Sequence, residues 1–124
     1  MVLWTERFLR NLNECENWYQ KTMPGDPFYL EVLERRIKAC EADIKSEKAW
    51  NHYQKLKGEI EEWYGREAKT RRKTMRSTDP LDEYKFGLEM GRLRKEYLER
   101  LFFALKEVAR VFALETTETL EEGG

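Results

Sequence analysis

The sequence predicts an all-α protein built from antiparallel helical hairpins, and three observations support this fold class. Apolar residues recur at intervals of three and four along most of the chain, which is the spacing of the buried face of a helix. No segment shows the strict alternation of apolar and polar residues that is typical of a half-buried strand. Two Asp-Pro pairs, Asp26-Pro27 and Asp79-Pro80, each place a favoured N-cap before a residue favoured at the first helical position.

These pairs divide the chain into predicted helices at residues 2–22, 27–75 and 80–117. We expect one helical domain over residues 1–117, followed by an acidic and flexible tail at residues 118–124.

The apolar stripes of the three segments align with one another when the chain folds at the turns that the prolines mark. The alignment places Cys15 opposite Ile37, Trp63 opposite Leu93 and Leu56 opposite Leu101. We therefore expect a central helix with two antiparallel partners, one along each half.

The rhythm of the central segment changes once, with a five-residue step from Ile44 to Ala49. We expect one continuous helix, because neither Gly nor Pro occurs there. The alternative is a break near Ser46, which resembles an N-cap and would give a four-helix bundle. A continuous helix would be about 70 Å long at the helical rise, so it would require oligomerisation to cover its apolar face.

The third segment is apolar on more than one side, which predicts an interface. The residues outside its main stripe are Leu98, Phe102, Phe103, Val111 and Leu114. Their partner is the first helix if the central segment breaks, and otherwise a second copy or another protein. Gly87 and Gly91 form a G-x-x-x-G pattern on the same segment, which either permits close approach of another backbone or is only a locally weak stretch of helix.

The strongest local charge anomaly is a basic run at the end of the central segment. It contains Arg66, Lys69, Arg71, Arg72, Lys73 and Arg76 against one acid, Glu67. With Tyr53, Trp63 and Tyr64 nearby, it is consistent with binding of phosphates and stacking on unpaired bases. Two alternatives are a solvated helix end and a contact with an acidic partner, such as Glu115, Glu118, Glu121 and Glu122 of a second copy.

Composition excludes several broad classes of function. The net charge of -1 gives no whole-molecule argument for nucleic acid or an anionic membrane as a partner. The longest apolar run, Leu101 to Leu105, is far shorter than the roughly 20 residues that a membrane span requires. Two cysteines without a C-x-x-C pattern indicate a reduced, cytoplasmic protein in which Cys15 and Cys40 are small core residues.

We find no motif for catalysis or cofactor binding. His52 is the only histidine and has no metal-ligand spacing to the cysteines, and the glycines form no phosphate-binding loop. We therefore expect no enzyme, cofactor or small-molecule substrate, but a helical interaction or assembly subunit that forms a homo-oligomer or joins a larger complex. The alternative is a protein that binds RNA or single-stranded nucleic acid through residues 66–76.

Overall fold

The computed structural model describes residues 3–23, 25–74 and 80–114, and within these ranges it is helical with no strand. The helices are α1 (Trp4–Lys21), α2 (Tyr29–Ala42), α3 (Glu47–Thr74) and α4 (Pro80–Val108), and α4 continues into a π-helical segment (Ala109–Leu114). The predicted all-α fold is confirmed. The parts of the predicted helices at residue 2, residue 75 and residues 115–117, like the predicted tail, lie outside the described residues.

Pro80 marks a helix start as expected, but the predicted roles of Asp26 as N-cap and Pro27 as first helical residue are wrong, because α2 begins at Tyr29 with Phe28 as its N-cap. Pro80 is the first residue of α4, and Asp82 and Glu83 place negative charge in its first turn. At the other pair, the Asp26 carboxylate accepts a hydrogen bond from the Phe28 amide at 2.8 Å. This turn delays the start of α2 by two residues relative to the prediction.

The expectation of one continuous central helix is wrong, and the four-helix alternative describes the fold. The chain leaves helical geometry after Ala42 and re-enters it at Glu47. The Ser46 hydroxyl accepts a hydrogen bond from the Ala49 amide at 3.3 Å, and the Ser46 carbonyl accepts one from Trp50 at 2.9 Å. Ser46 is thus the N-cap of α3.

Contacts with α1 stabilise this break from outside. Asp43 is buried, and its carboxylate accepts a hydrogen bond from Asn11 and pairs with Arg7 at 3.3 Å. Ile44 is also buried in the core. Because these partners are more than 30 positions away in sequence, the local pattern of residues could not predict the break.

The break lets α1 cover the second apolar face of α4. The Tyr19 hydroxyl donates a hydrogen bond to Glu99 at 3.0 Å, and Lys106 pairs with Glu16 at 3.3 Å, so the two helices run antiparallel. The ring of Tyr19 packs on Phe102 with centroids 5.5 Å apart. The expectation that Leu98 and Phe102 need a partner outside the chain is therefore wrong, because both are buried in the protein's own core.

Both predicted hairpins are present, but the predicted residue alignment is more accurate for α1–α2 than for α3–α4. Arg7 reaches Asp43 and Arg36 lies over the ring of Trp18, within a few positions of the predicted α1–α2 alignment. Between α3 and α4, Tyr64 packs on Tyr97 with centroids 4.6 Å apart, whereas the prediction placed Trp63 opposite Leu93. The α3–α4 alignment is displaced by about one turn.

Because α3 and α4 have 28 and 29 residues and α2 only 14, the long pair extends beyond α2. Glu34 of α2 binds Arg94 at 2.9 Å, and Lys95 lies over the ring of Tyr29. Residues 64–74 of α3 and 80–92 of α4 continue past this level, and we call them the arm. Arg71 and Glu89 join its two helices at 3.4 Å.

None of the described helices combines the length and the apolar composition of a membrane span.

Candidate interaction surfaces

One side of α4 in the arm is exposed although it carries apolar residues. Tyr84 is 65% exposed and Leu88 47% exposed. They share a helical side with Gly87 and Gly91, because these positions are three, four and seven apart. We call these four residues the arm face. Leu81, at the start of α4 on the same side, is also exposed.

The arm face continues a side of α4 that is buried farther along the helix, toward its C-terminal end. Successive turns of the same side of α4 lead from Leu88 through Gly91 to Leu98 and Phe102, which are buried in the core, where α2 packs against α4 and Tyr19 of α1 packs on Phe102. Glu89, which binds Arg71 of α3, lies on another side of the helix. The arm face is therefore the part of this surface that lies beyond the reach of α1 and α2.

Gly87 and Gly91 make no close approach to the rest of the described chain. A methyl group built on either glycine has no neighbouring atom from elsewhere in the described residues within 4 Å. The close-packing role predicted for them is thus not used inside the chain. Without side chains, they leave two open depressions on the arm face beside Tyr84 and Leu88.

The turn between α1 and α2 adds further exposed apolar groups near this region. Met23 and Phe28 are both exposed. Phe28 directly precedes Tyr29, whose ring lies beneath Lys95, one turn of α4 beyond Gly91. The turn therefore lies close to the base of the arm face.

The remaining residues of the predicted interface lie near the other end of α4. Phe103 is 51% exposed and borders a groove of about 290 Å³ between α3 and α4. The groove is lined by Leu56, Glu59, Ile60, Arg100, Phe103, Ala104 and Glu107. Val111 is half-buried, and the side chain of Leu114 lies outside the described part of the chain. Of the five apolar residues predicted, Phe103 is thus the one whose exposure supports an interface.

Part of the basic run is paired within the chain. Arg66 lies 3.9 Å from Glu62, and Arg71 pairs with Glu67 at 3.5 Å and with Glu89. The exposed side chains of Lys69, Arg72 and Lys73 form no ion pair within the ranges described, and Arg76 lies outside those ranges. Helical geometry places Lys69 and Lys73 on the side of α3 opposite Tyr64 and Arg71, which face α4.

The three aromatics near the basic run have packing contacts within the described chain. Tyr53 is fully buried in the core, and Tyr64 packs on Tyr97. Trp63 is covered by the Arg100 guanidinium, which lies 3.7 Å from the ring centroid. Tyr53 is therefore closed to a ligand, whereas Trp63 and Tyr64 are partly exposed and each already packs on a residue of α4.

The two cysteine thiols are poorly suited to act as nucleophiles. Cys15 and Cys40 are free and buried, and burial raises the pKa of the Cys15 thiol to about 11 and that of Cys40 to about 12. Both therefore remain protonated near neutral pH and are weak nucleophiles. The ring of His52 packs against Phe112. Within the described ranges no cluster of three or more His, Cys, Asp or Glu side chains is placed to hold a metal ion.

The predicted interface includes Gly87 and Gly91 of the arm face but omits its apolar residues, although the sequence carries a signal for them. Leu81, Tyr84 and Leu88 follow the helical spacing, but the predicted stripe of the third segment begins at Leu93.

A comparison with protein-family models, curated proteins and solved structures finds no significant match to this chain. The surfaces themselves therefore carry the functional argument.

Proposed function

We propose that this protein is a non-enzymatic helical assembly subunit that self-associates through the arm face. The observation that carries the proposal is the exposure of Tyr84 and Leu88 on a helical side whose continuation, at Leu98 and Phe102, is buried in the core. Exposed apolar groups on one helical side beside a covered continuation are typical of a helix that packs against a second helix.

The order of residues on the arm face favours a second copy as the partner. In an antiparallel pair of α4 helices centred between Gly87 and Leu88, Tyr84 of one copy lies opposite Gly91 of the other. Leu88 then lies opposite Gly87 of the other copy. Both large side chains thus meet open depressions, and a twofold axis repeats each contact. This alternation of large and small residues makes the arm face complementary to itself.

The expected association is weak and depends on concentration. Burying one Tyr84 and one Leu88 from each copy contributes on the order of 6 kcal/mol. This is similar to the lower estimates of the translational and rotational entropy lost on association. Met23 and Phe28 near the base of the arm face add apolar area if the second copy extends to them.

The experiment is Gly91→Leu, with self-association measured by sedimentation velocity over a wide concentration range. A Cβ at Gly91 meets no described atom within 4 Å, so we expect the fold to stay intact, and loss of a helical glycine adds up to about 1 kcal/mol of stability. It fills the depression that receives Tyr84, so we expect self-association to be lost.

Gly58→Leu is the matched control, because Gly58 lies in α3 with equally open surroundings and outside the arm face. It should leave self-association unchanged. A native protein that stays monomeric at the highest concentration, or a Gly91→Leu variant that associates as well as the native protein, would contradict the proposal. Capture of a different protein on the same face, abolished by Gly91→Leu, would show that the occupant is not a second copy.

The nucleic-acid alternative keeps its cations, but Tyr53 is buried and Trp63 and Tyr64 pack on residues of α4. We therefore treat it as a competing outcome of the charge-reversal experiment below.

A further inference from the structure

The outer side of α3 in the arm presents a basic surface that is distinct from the arm face. Arg66, Lys69 and Lys73 share one side of the helix, because they are separated by three and four positions. Lys69 and Lys73 form no ion pair among the described residues, and Arg66 has only an exposed pair with Glu62 at 3.9 Å. Such an exposed pair contributes little, so all three cations are available to a new partner.

The chain itself contains an acidic segment with the same spacing. Glu115, Glu118 and Glu122 are separated by three and four positions, and residues 115–124 contain no cation. Bound as a helix, this segment would place its three glutamates opposite the three cations, one to one. We propose that residues 115–122 of one copy bind the basic surface of α3 in another copy.

The reach of the chain excludes this alignment within one copy. Phe112 packs on His52 with ring centroids 5.5 Å apart, so the described chain ends near the beginning of α3. From His52, Arg66 lies about 21 Å along the helix and Lys69 about 26 Å. Residues up to Leu114 are helical, so Glu115 is the next residue along the chain, within about 4 Å of Leu114. Glu115 therefore cannot reach Arg66 even with both side chains extended, so in this alignment the pairs form between copies.

Charge complementarity is the second argument for this occupant. The described arm residues 66–74 and 80–92 carry seven cations and four acids, whereas residues 115–122 carry four glutamates. Because the whole chain is nearly neutral, the two opposite charges lie on different parts of one molecule. A contact between the acidic segment of one copy and the arm of the next neutralises both.

The experiment uses reciprocal charge reversal in the full chain. One variant carries Lys69→Glu and Lys73→Glu, and the other carries Glu118→Lys and Glu122→Lys. Both are made in a Gly91→Leu background, which blocks the arm face and separates this contact from the proposed function. Sedimentation velocity at low and high salt measures association, and circular dichroism checks that each variant is folded.

We expect the Gly91→Leu background to show residual association that weakens as salt rises, because exposed charge pairs are screened. Each charge-reversal variant alone should associate about tenfold more weakly, a factor equivalent to about 1.4 kcal/mol. An equimolar mixture of the two variants should restore association, since each basic surface then meets a segment of opposite charge. Lys45→Glu with Lys48→Glu, exposed near the beginning of α3, makes the same charge change outside the surface and should have no effect.

No salt-sensitive association in the background, or no restoration in the mixture, would overturn the proposal. So would salt-dependent binding of a fluorescent single-stranded oligonucleotide that Lys69→Glu with Lys73→Glu abolishes, in the absence of self-association. That outcome would assign the cations to phosphate. Salt-insensitive association that survives in the background would instead contradict the proposed role of the arm face.

Discussion

The side chain of Thr5 is polar, but its hydroxyl makes no hydrogen bond in the described core. It is almost fully buried in the second position of α1, and its hydroxyl has no hydrogen-bond partner within the described structure. A hydroxyl removed from water without a partner loses solvation free energy and gains nothing in return. Thr5 therefore contributes packing volume at an avoidable cost.

We expect Thr5→Val to raise the free energy of unfolding by about 1 kcal/mol, because valine keeps the shape and removes the hydroxyl. Urea denaturation followed by circular dichroism measures the change. Thr5→Ala is the control, since it also removes a methyl group and should show no such gain. A valine variant less stable than the native protein would mean that the hydroxyl has a favourable contact.

At the scale of single residues, the helical spacing predicted much of the core. Cys15, Ile37, Leu93 and Leu101 are all on the predicted stripes and are buried. Leu98 and Phe102 show the limit of this method. Their spacing correctly indicates a second buried side of α4, but spacing alone does not say whether the covering helix belongs to the same chain.

Among the elements, the link between α2 and α3 decides the architecture. A serine is a good N-cap, but a single serine without Gly or Pro is a weak local signal for a helix break. Asp43 and Ile44 are buried against the rest of the core, and Asp43 holds two side chains of α1. Long-range packing therefore fixes the break, which explains why the sequence pattern favoured continuity.

Ser46→Ala removes the capping hydroxyl from α3 and should lower the free energy of unfolding by about 1 kcal/mol. Ser46→Asp should retain most of the native stability, because aspartate also caps and its charge interacts favourably with the N-terminus of the helix. Thermal and urea unfolding of the three proteins measure these differences. Equal stability of the alanine and native proteins would show that Asp43 and Ile44 hold the break without the cap.

The π-helical segment is another element that the periodicity did not predict. The widened helix at Ala109–Leu114 packs against α1, and its residues Ala109 and Ala113 are buried. Small side chains at these positions let the widened backbone lie close to α1. The sequence shows only two alanines four positions apart, which an ordinary α-helix accommodates equally well.

In the molecule as a whole, burial raises the pKa of several groups that lose a proton only in alkali. The Cys15 and Cys40 thiols have pKa values raised to about 11 and about 12 from an ordinary value near 9. Burial is also the main reason that the pKa values of four tyrosines are raised, namely Tyr19, Tyr29, Tyr53 and Tyr97. The folded protein therefore keeps protons that the unfolded chain releases above about pH 9.

Because the folded state binds more protons in this range, the free energy of unfolding must fall as the pH rises. The contribution of the two thiols is fully present below about pH 9 and is lost as the pH passes their folded-state values of about 11 and 12. Urea midpoints measured from neutral pH to about pH 11 should decline from about pH 9 upward. A double variant, Cys15→Ala with Cys40→Ala, should be less stable at neutral pH but should decline less steeply, since two of the linked groups are absent. A midpoint that stays constant or rises over this interval would mean that the buried thiols and phenols titrate as they do in the unfolded chain.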